Sequence, residues 1–168
     1  MMTKNYTLLL RIFTLLTFCF WNLLSYGQHG SSSNANKNVI TKYFTEVVNT
    51  QKLNRMGEFF WQDYIWHQMD GKDITSSQDS SHLAMLRFIY KAIPDIHYRI
   101  DNIVAEGDMV AVNTTVSGTA KGEFFGLAAS QKKVHFKQMF FFRLAGNKIK
   151  EEWEVVDVDG LIKQLSKP

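Results

Sequence analysis

Residues 93–111 read Ile93-Pro94-Asp95-Ile96-His97-Tyr98-Arg99-Ile100-Asp101-Asn102-Ile103-Val104-Ala105-Glu106-Gly107-Asp108-Met109-Val110-Ala111, and the periodicity of the chain changes inside them. Before Pro94, the apolar residues Leu83, Leu86, Ile89, Tyr90 and Ile93 recur at helical spacing, which predicts a helix from about Ser80 to Ile93. Proline lacks the N–H that would continue the ladder, so the helix stops there. Beyond it the period is two. His97 to Val104, Met109 to Ala120, Val134 to Leu144 and Lys148 to Val158 read as strands, joined at Glu106-Gly107-Asp108 and Ala145-Gly146-Asn147 by hairpin-type turns. The second half is therefore expected to be an antiparallel meander.

Upstream the helical period dominates. Val39, Ile40, Tyr43, Phe44 and Val47 mark a first amphipathic helix with Asn36 or Asn38 as its N-cap, and a shorter helix is expected around Leu53 to Phe60. Helices first and a meander second predict an α+β fold, with helices covering one face of a twisted sheet, rather than alternating βαβ units.

At the N-terminus, Lys4 and Arg11 precede the apolar stretch Ile12 to Leu24, followed by Ser25-Tyr26-Gly27. This order predicts a secretory signal over residues 1–27, cut before Gln28, with the protein exported to the periplasm or beyond. Thirteen residues interrupted by Thr14, Thr17 and Asn22 fall short of the roughly 20 that span a bilayer. Residues 28–36, rich in Gly, Ser and Asn, read as a flexible leader, and residues 37–168 as one domain.

Charge narrows the partners. Lys4 and Arg11 belong to the signal, so the 19 basic residues of the whole chain fall to 17 against 16 acidic ones. Near-neutrality gives no electrostatic reason to expect a nucleic acid. Cys19, the single cysteine, lies in the signal segment, which leaves the mature chain without thiol chemistry. His29, His67, His82, His97 and His135 show no metal-binding spacing, so no metal is expected. Gly-x-Ser-x-Gly, phosphate-loop and dinucleotide motifs are all missing, and no cofactor is expected.

Acid/base work or plain binding remains. In Glu151-Glu152-Trp153-Glu154-Val155-Val156-Asp157, strand alternation puts Trp153, Val155 and Asp157 on one face. If that face lines a pocket, desolvation raises the Asp157 pKa toward neutrality and makes it a general acid/base. The alternative is that Asp157 leaves the strand solvated and caps the final turn, Gly160 to Leu165. His67 is a second candidate, set among Tyr64, Ile65 and Trp66. A lone histidine in such a run is more often a hydrogen-bonded wall residue. The continuous run Met139-Phe140-Phe141-Phe142 suggests a strand buried on both faces, by helices on one side and a pocket on the other.

Several phrases in order resemble the SnoaL-like polyketide (ester) cyclases, of the NTF2-like superfamily that includes ketosteroid isomerase. They are Ile93-Pro94-Asp95; Val104 to Ala111; Gly118-Thr119 with Gly122-Glu123-Phe124-Phe125-Gly126; Phe142-Arg143 with Asn147-Lys148-Ile149; and Glu151, Trp153, Asp157 and Gln164-Leu165. The resemblance implies an NTF2-like cone, with N-terminal helices packed on a curved antiparallel sheet. It also implies cofactor-independent removal of a proton next to a carbonyl, followed by aldol-type cyclisation or isomerisation. By motif position it assigns the acid/base to Asp157 and a pocket histidine to His67. Trp153, Tyr64, Trp66, Phe125 and Met139 are expected as walls around a small apolar or aromatic molecule.

Three positions depart from the family pattern: Ala120, Ala129-Ser130-Gln131 and Glu152 stand where a histidine, a Pro-Thr-Gly turn and a histidine are common. Two readings follow. One is an enzyme using Asp157; the other is a secreted small-ligand-binding module without chemistry, which predicts an exposed or ion-paired Asp157 with His67 out of its reach. Pairing of two copies through the open sheet face is compatible with either.

Overall fold

The computed structural model describes residues 32–75, 82–124 and 126–166. The expected signal segment, the first part of the leader, the start of the third helix and Phe125 lie outside them. Helix α1 covers residues 32–42 and runs on into a π-helical segment, Tyr43–Val48, closed by Asn49 N–H donating to the Phe44 carbonyl. Residues 32–36, expected as flexible leader, are already helical, and Asn36 is no cap: its side chain donates to the Gly107 carbonyl. Ile40, Tyr43, Phe44, Val47 and Val48 form the buried stripe of this element. A 3-10 turn, Leu53–Arg55, and the one-turn helix α2, Met56–Phe59, fill the place of the short second helix.

The remaining elements are β1 (Phe60–His67), β2 (Asp73–Thr75), α3 (His82–Ala92), β3 (His97–Glu106), β4 (Met109–Thr119), β5 (Lys133–Ala145), β6 (Lys148–Val156) and α4 (Val158–Ser166). One six-stranded sheet has the order β2-β1-β6-β5-β4-β3. The meander β3 to β6 is as the alternation predicts, whereas β1 joins it in parallel with β6 and is extended by the hairpin partner β2. Alternation is hard to see in β1, because its pairing shifts between Phe60 and Ile65. The fold is thus α+β on a mixed, largely antiparallel sheet.

One face of the sheet, carrying Val110, Val112, Val116, Phe140, Phe142 and Ile149, is buried under α1 and α3. Phe44 packs edge-on to Phe140 at 5.3 Å, and Tyr43 meets Phe60 at 5.0 Å between ring centres. The edge strand β3 is closed by a side chain: Asn49 donates to the Tyr98 carbonyl and accepts from the Tyr98 N–H, both at 2.8 Å. Gly118 has a packing role, since a Cβ there would collide with the Ile93 side chain and lie 3.2 Å from Ile96 Cα. The family-like phrases Gly118-Thr119 and Ile93-Pro94-Asp95 therefore meet in space, and Asp95 accepts from the Thr119 amide and hydroxyl.

Candidate active site

The phase of β6 decides which carboxylate faces the interior. Arg143 pairs with Glu151, but Leu144 pairs with Ile149, so Lys150 is an extra residue, a β-bulge. Ile149 points inward, fully buried; after the bulge the inward positions are Glu152, Glu154 and Val156. Without it, Ile149 would share its face with Trp153, Val155 and Asp157, which is the arrangement strict alternation predicts. The bulge thus corrects the expected position of Asp157. Its exposed carboxylate accepts from the Gly160 N–H at 2.9 Å and caps α4.

The same shift places Trp153 on the outer face, where it stacks on His67 at 4.3 Å between ring centres. His67 Nδ1 lies 2.6 Å from Asp73 Oδ1 and its Nε2 lies 3.1 Å from Glu151 Oε2. His67 ties β2 and β6 to β1 on the outside of the sheet. Met139 also faces outward, 49% exposed beside Phe141, so β5 is buried on one face only. Of the expected wall residues, Trp66 lines the interior cavity. Tyr64 lies on the same inner face but borders a neighbouring groove beside Phe60 and Leu83; Phe125 lies outside the described residues.

Between α3, α4 and the inner sheet face lies a cavity of about 160 Å³. Its apolar walls include Ile89, Ile93, Ile96, Phe136, Val156 and Leu161, and its polar lining includes Gln68, Gln138 and Glu154. Gln138 Nε2 donates to Glu154 Oε2 at 2.7 Å. Burial among apolar walls pushes the Glu154 carboxyl up to about 7, the Gln138 bond offsetting part of the rise. Glu154 therefore exchanges its proton in the range where a general base works best.

Behind Glu154, on the same face of β6, Glu152 is fully buried. Desolvation first, and the neighbouring Glu154 charge second, hold its pKa well above the carboxylate range. The two titrate as a pair. His82, at the start of α3, lies 3.0 Å from Tyr43 Oη through Nε2 and 3.4 Å from Glu152 Oε2 through Nδ1. Burial lowers the His82 pKa to about 4, so its imidazole is neutral and one ring nitrogen donates while the other accepts. Tyr64 Oη, Trp66 Nε1, His82 Nδ1 and both Glu152 oxygens are buried without a hydrogen-bond partner. A void of about 20 Å³ separates His82 and Tyr43 from Gln138 and Glu154.

Sequence reasoning missed Glu154, Glu152, Gln138 and His82. A signal was present for two of them. Gln138 interrupts the alternating apolar series Val134, Phe136, Phe140, Phe142 on β5, and His82 begins the i, i+4, i+8 stripe continued by Leu86 and Tyr90. Both are polar side chains where the pattern demands apolar ones. Among the described residues, no group of three or more His, Cys, Asp or Glu side chains is arranged to hold a metal ion.

The sequence profile described as SnoaL-like polyketide cyclase matches residues 38–165. Among solved structures, a protein from Jannaschia sp. CCS1 assigned as a SnoaL-like polyketide cyclase superposes with a TM-score of 0.72 at 19% identity, over 81% of this chain and 94% of that one. AclR of Streptomyces galilaeus, assigned as a hydroxylase, gives 0.71 at 23% identity, over 79% and 82% of the two chains. IdmH of Streptomyces antibioticus, assigned as a polyketide cyclase, gives 0.69 at 21%, over 79% and 99%. At these identities the likeness speaks for the fold. Among curated proteins, no significant match to the chain is found.

Proposed function

We propose that this chain, which belongs to the SnoaL-like polyketide cyclase family, catalyses proton transfer next to a carbonyl in a small apolar molecule, with Glu154 as the acid/base. The observation that carries this reading is Glu154 lining a largely apolar cavity, its carboxylate bonded to Gln138 and its pKa raised to about 7 by burial. Ionised Glu154 takes the α-proton, and the C–H electron pair passes into an enolate. Burial keeps the Tyr98 hydroxyl protonated, and Tyr98 lines the same cavity as Glu154, where it serves as a donor for the enolate oxygen. The proton then returns to another carbon in an isomerisation. In a ring closure the enolate carbon attacks a second carbonyl and the proton goes to the new alkoxide. Neither path consumes a cofactor.

One observation favours the second reading, a ligand-binding module without chemistry. Asp157, to which the family resemblance assigns proton transfer, is exposed and engaged in capping α4. The two readings separate in heavy water. Wild-type protein should speed deuterium incorporation at the α-carbon of a neutral ketone such as cyclohexanone, followed by proton NMR, and Glu154→Gln should abolish the acceleration. Binding without incorporation would select the binding module.

A further inference from the structure

The cavity restricts what can reach Glu154 in two ways, by size and by charge. A void of about 150 Å³ with apolar walls holds a single aromatic ring, and drug-sized ligands occupy about 300 Å³ or more. At about 160 Å³, the space between α3 and the sheet matches one ring with a short substituent. Its walls are not easily pushed back. Ile93, Ile96 and Leu161 are buried core residues, and Phe124 is pinned by stacking on Phe88 at 5.7 Å. Charge acts as well: among the described residues lining the cavity there is no lysine or arginine, while Glu154 lines it and Glu152 lies behind. An anionic group brought here would be desolvated beside two carboxyls with no cation to meet it.

Five residues line both this cavity and the smaller void beside His82 and Tyr43: Met85, Ile89, Tyr98, Gln138 and Glu154. Of these, Met85 is half-buried, unbranched and without a polar atom to satisfy, so its shortening is the change that opens one space toward the other at least cost.

We propose that the substrate is an uncharged, monocyclic carbonyl compound, and that Met85 sets the length limit, excluding fused-ring polyketides and free acids. The placing of the carbonyl beside Glu154 rests on the acid/base reading above; the limits of size and charge do not.

The test uses the full chain and two independent readouts. Binding is followed by quenching of tryptophan fluorescence, since Trp66 lines the cavity, and chemistry by α-deuteration. The ligands are cyclohexanone, 2-tetralone and anthrone as a size series, with phenylacetone against phenylpyruvate as the charge pair. Cyclohexanone and phenylacetone should bind at least tenfold more tightly than anthrone and phenylpyruvate, and Met85→Ala should bring 2-tetralone to within threefold of cyclohexanone. Anthrone or phenylpyruvate binding as well as the small neutral ketones would overturn the proposal, as would failure of every ketone to bind. An unchanged size limit in Met85→Ala would remove Met85 from it. Selective binding without deuteration would uphold the limits and overturn the acid/base reading.

Discussion

Glu154→Gln tests the electrostatics of the site without any substrate. In the unfolded chain a glutamate releases its proton near 4.5, whereas in the fold Glu154 holds it to about 7. Between those values the native state binds more protons than the unfolded one, so the contribution of Glu154 to stability falls as pH rises and is level above 7. A separation of about 2.5 pH units corresponds to about 3 kcal/mol. Glu154 is half-buried, and screening at its cavity-facing side reduces this to about 2 kcal/mol. His82 opposes the trend. Its lowered pKa means that the unfolded chain binds the extra proton between about 4 and 6.5, so its contribution grows with pH across that window. The measured quantity is therefore a difference: urea unfolding of wild type and Glu154→Gln, each at pH 5 and pH 8. On going from pH 5 to pH 8 the variant should gain about 2 kcal/mol relative to wild type, with glutamine keeping the bond from Gln138. Some slope should persist from Glu152, which titrates with it, and Glu152→Gln/Glu154→Gln should remove that too. Equal pH dependence in wild type and variant would mean that Glu154 is solvated and has no raised pKa to lose.

Asp157→Ala should cost about 1 kcal/mol through loss of the α4 cap, measured by urea unfolding, while α-deuteration stays within a few-fold of wild type; a loss as deep as that of Glu154→Gln would return Asp157 to the reacting centre. Gly118→Ala should destabilise by about 1–3 kcal/mol, because its Cβ meets the Ile93 side chain and the backbone at Ile96; unfolding at wild-type denaturant concentration would mean that this contact yields freely.

Periodicity and punctuation determined a good deal of this protein by themselves. The change of period at Pro94, the turns at Gly107 and Gly146 and the stripe from Val39 to Val47 specify α1, α3 and the meander β3 to β6, though not β1 and β2, because each is a local property of backbone geometry and side-chain spacing. The ordered family phrases were legible for a related reason: Gly118 and Asp95 are held by close contacts that few other residues satisfy. The candidate site was not legible in the same way. Alternation tells which residues share a face, never which face is inward, and one extra residue at Lys150 exchanges the two. Along β6 the apolar phase, Trp153 and Val155, is the outer one, and the acidic phase is buried because helix α3 and strands β1 and β5 close over it with His82, Trp66 and Gln138. Only the packed sheet can turn two glutamates inward and withdraw them from water, one fully and one in part, since desolvation is set by what surrounds a carboxylate in space and not by its neighbours in the chain.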